Sequence, residues 1–445
     1  MAQCMSAPRP ALDRVLAAAL AAVEPGEAVR RAIALENNDL VAGERRYSLA
    51  SKKRVVVVGA GKASAPMAAA VEQVLGDALP ITGSVTVRYG HLVPTRAVRI
   101  REASHPVPDA AGLEATGAIV ELLEEATADD LVICLISGGG SALLTMPAEG
   151  ISLTDMQQTT DALLRSGASI NEINVVRKHV DRVKGGGLAR LAAPAQVITL
   201  VLSDVVGNPL DAIASGPTVP DTSTWAEAGA VFDRYALWPL APESVVERLR
   251  VGLEGRLPDT PKPGDPLFEH TQTVVVGSNL LACLAAAATG AEMGFTTQVL
   301  TTYVEGEARE VGRVLAGLLR EVDASGHPLA RPCLIVAGGE TTVTVHGQGT
   351  GGRNQELALA AAFGLRGVRD VLLASIGTDG NDGPTDAAGA FVDGSTLERA
   401  ATLGLNPHDH LANNDSYHFF DRLGDLIHTG PTNTNVNDLY LLFAF

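Results

Sequence analysis

The chain has 445 residues, enough for two or three domains whose cores need neither disulfide nor metal to hold them. Its 34 Lys and Arg against 51 Asp and Glu give a formal net charge of −17, which disfavours nonspecific binding to nucleic acid or an anionic membrane, since both need a basic face. Its 46 glycines, about a tenth of the chain where roughly 7% is ordinary, follow no collagen period and sit in loops after strands.

In chain order, the run 15–23 after Arg9 and Arg14 has the length of a signal-peptide core. Leu12, Val15, Leu16, Ala19, Leu20 and Val23 nevertheless recur at helical spacing, and Pro25-Gly26 ends the run as helices end, so residues 10–40 read as two amphipathic helices. No stretch reaches the ~18 apolar residues of a membrane span. Cys4, Cys134, Cys283 and Cys333 lack metal-like spacing, and three of them lie in apolar segments, which predicts reduced, buried thiols in a cytoplasmic protein.

A strand at 55–58 runs into Gly59-Ala60-Gly61-Lys62-Ala63-Ser64 and an alanine-rich helix to about Leu75. Strands at 84–87 and 98–103, the segment His105-Pro106-Val107-Pro108-Asp109 and a helix at 112–126 lead to the apolar strand 131–136, whose end carries Ser137-Gly138-Gly139-Gly140-Ser141. Helices follow at 152–164 and from the capping box Ser169-Ile170-Asn171-Glu172, the second breaking at Lys184-Gly185-Gly186-Gly187. A strand at 197–202 delivers Ser203-Asp204. This βαβ alternation predicts an α/β fold: a Rossmann-like, mostly parallel sheet with helices on both faces.

The proline-rich stretch 257–266 reads as a linker, dividing an N-terminal domain at 1–255 from a second α/β domain at 270–445. There the alternation restarts: strand 273–276 into Gly277-Ser278-Asn279, helix 280–293, strand 297–301, helix 306–322, strand 333–337 into Gly338-Gly339-Glu340, and a strand at 342–345. Gly349-Thr350-Gly351-Gly352-Arg353-Asn354-Gln355-Glu356 then opens a helix, and strand 371–376 enters Gly377-Thr378-Asp379-Gly380-Asn381-Asp382-Gly383.

In open α/β sheets ligands bind at the carboxyl ends of strands, and these glycine loops are the candidate sites. Ser137, Gly138, Gly139, Gly140 and Ser141 form a cradle whose N–H groups and hydroxyls suit a small polar or anionic substrate. The Gly59-to-Ser64 turn lacks the third glycine of a dinucleotide fingerprint, and the next strand carries no acidic residue for a ribose. It is no Walker A loop either, because Val56 and Ala63 stand where glycine and Ser or Thr belong. What remains is Lys62 on a glycine turn at a helix start, able to stabilise a phosphoryl group or else merely solvated. Arg353 between two glycines and a helix can grip carboxylate or phosphate, or stand in a surface ion pair. Asp204, Glu340, Asp379 and Asp382 are oxygen donors of the kind Mg²⁺ takes, although Asp379 and Asp382 also suit ordinary turns. No Gly-x-Ser-x-Gly elbow appears, and Arg177, Lys178 and His179 read as a solvated face or a polar contact.

Together with Asn174-Val175-Val176-Arg177-Lys178-His179, Ile213-Ala214-Ser215-Gly216-Pro217-Thr218 and Thr429-Gly430-Pro431-Thr432, these loops resemble the glycerate 2-kinase family whose C-terminal part is the MOFRL domain. The resemblance runs from about residue 12 to the C-terminus. It implies transfer of phosphate from ATP, with Mg²⁺, to the 2-hydroxyl of D-glycerate, and its functional lysine, aspartate and arginine fall on Lys62, Asp204 and Arg353. Asn208 stands where the pattern often has an acidic residue. On this reading Lys62, Asp204 and Arg353 are catalytic, Ser137 to Ser141 hold the substrate, and Gly59, Gly61, Ser278, Asn279 and Glu340 contact ATP. Asp204 and Asp379 hold the metal, and the active site falls in the cleft between the domains. Glycerate and ATP are then the partners, without nucleic acid or membrane, in a possible homo-oligomer. The alternatives are an NAD(P)H-dependent hydroxypyruvate reductase and a non-catalytic nucleotide- or sugar-acid-binding regulator, which fold alone does not separate.

Overall fold

The computed structural model describes residues 8–445, so Cys4 lies outside the described residues. The chain forms two compact units.

The first unit comprises residues 25–203 and 208–276. It opens with a small antiparallel sheet of β1 (Ile33–Glu36), β2 (Asp39–Ala42) and β3 (Arg45–Ser48), where the sequence reading continued a helix. The helix Pro25–Ala32 stops because Asn37 and Asn38, both at positive φ (50° and 67°), turn the chain into a hairpin. Asparagine tolerates that left-handed conformation better than most residues, which makes such a pair a hairpin signal.

The main sheet holds β4 (Arg54–Ala60), β5 (Ile81–Arg88), β6 (Val98–Ala103), β7 (Asp130–Ile136), β8 (Gln196–Leu202) and β9 (Thr271–Gly277), in the order β6-β5-β4-β7-β8-β9. The β4–β5, β5–β6, β4–β7 and β7–β8 pairs are parallel. Val55 to Val58 and Leu131 to Leu135 are wholly buried, as continuous apolar runs should be in a sheet covered on both faces; full burial of each such side chain contributes roughly 1.5–3 kcal/mol before conformational entropy is counted. A helical subdomain packs Met156, Leu163, Val176, Trp225, Phe232 and Leu249 into a second core. Strand β9, expected to open the second domain, instead takes the edge position beside β8, and the unit extends to Val276. The prolines of 257–266 therefore mark a surface crossing within one unit. They carried no information about which sheet the next strand would join.

The second unit gathers the chain up to Glu24, residues 204–207 and everything from Gly277 onward. Its helix Pro8–Ala22 buries Leu12, Val15 and Leu16 and packs against the helix Asn279–Glu292, so the run that resembled a signal core is structural. The sheet contains β10 (Thr296–Glu307), β11 (Cys333–Thr342), β12 (Val371–Gly377), β13 (Gly389–Asp393), β14 (Leu426–Ile427) and β15 (Asp438–Ala444), in the order β10-β11-β15-β12-β13-β14. Only β10–β11 is parallel, because the C-terminal strand β15 inserts between β11 and β12 and pairs antiparallel with both. Strand β11 also runs straight through Gly338-Gly339 to Thr342, where a loop and a separate strand at 342–345 were expected. Glycine is forced at 338 because a Cβ would lie 1.9 Å from Asn279 Oδ1. Among the described residues no helix is long and apolar enough to cross a membrane.

Candidate active site

Lys62 follows β4 in a turn pinned to the end of β7. Its N–H donates to Gly138 O at 2.9 Å, and the Ala63 N–H donates to Ser137 Oγ at 3.0 Å. Ser137 is buried and its hydroxyl also meets Ser64 Oγ at 3.1 Å, so it fastens the Lys62 turn to the cradle. Gly59 and Gly61 are buried too. A Cβ on either would come 2.1 Å from Leu135 O or Ser137 Oγ, and the Gly61 N–H is engaged by Thr86 O at 3.1 Å. Close approach to the end of β7 requires glycine at both positions.

The cradle is nonetheless open at its tip. Gly139 adopts φ 85°, and among the described residues no acceptor faces the N–H of Gly138 or Gly139. Ser141 Oγ meets Ser215 Oγ at 3.1 Å, and Ser215 in turn donates to Asn174 Oδ1 at 3.1 Å. The His105 ring lies over Gly139, where a Cβ would come 2.9 Å from its Cδ2. Burial, then the charges of Lys62 and Arg88, push His105 down to about 4, so the ring is neutral near pH 7. Sequence reasoning missed Arg88 and His91; the signal available was a basic residue at the end of β5 immediately preceding Tyr89-Gly90-His91.

Behind the cradle, the predicted solvated face is largely interior. Lys178 is buried against Asp221 at 3.1 Å and Asp211 at 3.6 Å. His179 bonds Asp259 at 3.0 Å and Val175 O at 2.7 Å, with its ring 4.6 Å from that of Trp225. Lys184 is buried with its ammonium on Asp181 at 3.0 Å and Leu144 O at 2.6 Å. Helical spacing put Lys178 and His179 on one helix with Arg177, but it is the partner of each polar group, as for Lys184 beyond the helix, that lets it be buried.

In the second unit Arg353 begins the helix Arg353–Leu365, and three of its five N–H donors are engaged. Nε and Nη2 reach Asp438 at 2.7 and 3.0 Å, and Nη1 reaches Glu340 at 2.7 Å. Burial works against its charge, but Asp438 and Glu340 more than offset this and raise its pKa above the ordinary value. Asp438 itself is pushed up to about 6 by burial, against the opposing pull of Arg353. Asp382 caps the same helix, accepting from Asn354 N at 3.0 Å and Gln355 N at 2.8 Å, and burial lifts it to about 7. Gly351, Gly352, Arg353, Asp379, Asp382 and Asn414 are among the residues lining a cavity of about 510 Å³. Asp379 is thus on a cavity wall, where its Oδ1 accepts from Asn381 N at 3.2 Å.

The remaining candidates divide. Glu340 is held by Arg353 and by Asn437 Nδ2 at 3.0 Å, so its carboxylate orients the arginine. Ser278 caps the helix Asn279–Glu292, and Asn279 Nδ2 bonds the carbonyls of Val436 and Asp438, both at 2.8 Å. These two side chains tie the helix start to the segment that leads into the strand carrying Asp438. Asp204 follows β8 in a partly buried position.

Residues 11–250 match a domain of unknown function, DUF4147, and residues 333–438 match the MOFRL family. A D-glycerate 2-kinase from Thermotoga maritima is 46% identical over 389 residues, covering 87% of this chain and 90% of the relative. This chain belongs to the glycerate 2-kinase family. The family fold is shared in full: a crystal structure of a Pyrococcus horikoshii protein superimposes with a TM-score of 0.90 at 38% identity, covering 99% of both chains. The crystal structure of a glycerate kinase from Thermotoga maritima gives 0.88 at 41% identity, over 98% of this chain and 99% of that one. The family expected from the sequence motifs is therefore the one found, even though several of its glycines proved to serve packing.

Proposed function

We propose that this protein is a glycerate 2-kinase, transferring the γ-phosphoryl group of ATP to the 2-hydroxyl of D-glycerate to give 2-phosphoglycerate and ADP. The observation that carries the reading is the 46% identity, over most of both chains, to a protein named for that activity. Phosphoryl transfer asks a protein chiefly for positioning and for cancellation of charge spreading over the phosphate oxygens. The Lys62 ammonium, on a turn stiffened by Ser137, and the two unengaged N–H groups of the cradle supply positive potential in the first unit. In the second, Asp438 and Glu340 hold the Arg353 guanidinium rigid and leave two N–H donors for a phosphate oxygen. Asp204 is assigned the proton of the reacting hydroxyl.

Among the described residues no three His, Cys, Asp or Glu side chains converge as a metal cage. Asp204 and Asp379 offer hard oxygen donors, which fits Mg²⁺, an ion usually held by one or two carboxylates and completed by phosphate and water. Bound there, it would supply further neutralisation of phosphate charge.

Incubation with D-glycerate, ATP and Mg²⁺ is expected to release ADP in step with a phosphate monoester visible by ³¹P NMR. No ADP, together with NADH oxidation in the presence of hydroxypyruvate, overturns the kinase reading in favour of the reductase name that a relative from Agrobacterium vitis, 44% identical, provisionally carries.

A further inference from the structure

We propose that Arg88 grips the carboxylate of the 2-hydroxy acid, in a basic pocket that it shares with Lys62, His91 and His105 at the carboxyl edge of the first sheet. The proposal rests on the glycerate reading and adds to it the residue that selects an acid over a neutral polyol.

The pocket follows from topology. Strands β6, β5, β4 and β7 are neighbours running the same way, so their carboxyl ends lie side by side. In that register Arg88 pairs with Ala103, two residues before His105, while Ala60, two before Lys62, pairs with Thr86 on one side and Ile136 on the other. Four consecutive strand ends thus deliver His105, Arg88, Lys62 and the glycine cradle to one rim. The His105 ring over Gly139 joins the end of β6 to the cradle, the Lys62 N–H on Gly138 O at 2.9 Å joins the lysine turn to it, and the His91 N–H on Arg88 O at 3.1 Å folds the segment after β5 back onto the arginine.

Electrostatics says what the rim is for. Both histidines are held below their ordinary value by burial first and then by the charges of Lys62 and Arg88. Among the described residues neither Lys62 nor Arg88 makes an ion pair with a carboxylate. The nearby acids are engaged elsewhere: Glu102 accepts from the Gly90 N–H at 2.7 Å and Asp109 from the Tyr89 hydroxyl at 2.9 Å. In a chain of net charge −17, two cations with no carboxylate in an ion pair, beside two free backbone N–H groups, make a site for an anion. The two cations differ in shape. A guanidinium presents a planar fork that matches a carboxylate, whereas an ammonium is a point charge suited to a phosphoryl oxygen. Arg88 therefore takes the acid and leaves Lys62 for the transferred group.

Arg88 is exposed, so Arg88→Gln should fold normally, with an unchanged far-UV circular dichroism spectrum. Steady-state ADP release should show the KM for D-glycerate rising about 10- to 100-fold, as for loss of a charge-assisted hydrogen-bonded pair, with the KM for ATP within about twofold. The preference for D-glycerate over glycerol should fall by a similar factor, and Arg88→Lys should recover part of it. An unchanged KM for D-glycerate overturns the proposal, as does an effect confined to ATP, which would make Arg88 a phosphate ligand. If the wild-type protein releases no ADP, the kinase reading fails on its own, and titration calorimetry with D-glycerate then decides: binding lost in Arg88→Gln supports the grip, and equal binding in both proteins ends it.

Discussion

The guanidinium of Arg353 meets the carboxylate of Asp438 fork to fork, Nε to Oδ2 at 2.7 Å and Nη2 to Oδ1 at 3.0 Å, with Asp438 wholly buried at the start of β15. Removing one member of a buried ion pair strands the other charge, at a cost of about 3–5 kcal/mol. Arg353→Ala should therefore lose stability as well as turnover, contrary to the simpler expectation that a charge-stabilising arginine can be deleted from an intact fold. Arg353→Ala/Asp438→Asn should regain most of the thermal midpoint while kcat stays down by about two orders of magnitude. A double variant that recovers turnover along with stability would show that Arg353 only neutralises Asp438.

How far the sequence could be read depends on whether a residue's role is local. The runs Val55 to Val58 and Leu131 to Ile136 are buried on both faces, so composition alone identifies them as central parallel strands. The box Ser169 to Glu172 is equally local, with Glu172 N donating to Ser169 Oγ at 3.4 Å and Ser169 N to Glu172 Oε2 at 2.9 Å. Asp438 was not legible, because its meaning comes from an arginine 85 positions earlier in the chain. Gly59 and Gly61 are ambiguous in the sequence for the converse reason. A glycine that admits a phosphate and a glycine that admits a neighbouring strand look alike until Leu135 and Ser137 are seen beneath them. The partners of Ser278 and Asn279, a helix N–H and the carbonyls of Val436 and Asp438, are equally hidden from the sequence.

Lys62 presents the opposite case to Arg353. It is only partly buried and has no carboxylate partner among the described residues. Lys62→Ala should leave the thermal midpoint within about 2 °C while kcat falls by about two orders of magnitude, the usual consequence of deleting one transition-state donor. Comparing melting curves with initial rates checks both halves, and a rate near that of the wild type would remove Lys62 from the mechanism.

The glycines under the Lys62 turn make a further expectation. At Gly61, φ is 142° and an added Cβ would lie 2.1 Å from Ser137 Oγ and 2.5 Å from its carbonyl oxygen, distances that demand movement of backbone. Gly61→Ala should destabilise by about 1–3 kcal/mol, as overpacking does, and shift Lys62 relative to the cradle, so kcat should fall as well. Gly76, at φ 54° and ψ −122° but with open space around it, is the control: Gly76→Ala should cost about 1–3 kcal/mol through backbone strain alone and leave kcat unchanged. Equal losses of activity in the two variants would separate Gly61 from the site.

Asp382 predicts how stability responds to pH. It sits at the N-terminus of the helix Arg353–Leu365 and accepts from two backbone N–H groups, which favour its charged form, yet burial and the neighbouring charge of Asp438 prevail and hold it at about 7. A carboxyl whose folded pKa lies above its unfolded value keeps its proton in the native chain after the unfolded chain has released it. The native state then binds more protons, so stability falls as pH rises from about 4 through about 7, with a ceiling of about 1.4 kcal/mol per pH unit for one group. Asp438, at about 6, adds to the lower part of the same window. Denaturant unfolding at intervals from pH 5 to pH 8 should show this decline in the wild type and a flatter profile in Asp382→Asn, which has no proton to lose. The substitution also turns an amide donor toward a backbone N–H, costing about 1–3 kcal/mol at every pH, so the slope, and not the level, is diagnostic. Parallel slopes in the two proteins would mean that Asp382 is ionised throughout, and that the helix N-terminus outweighs its burial.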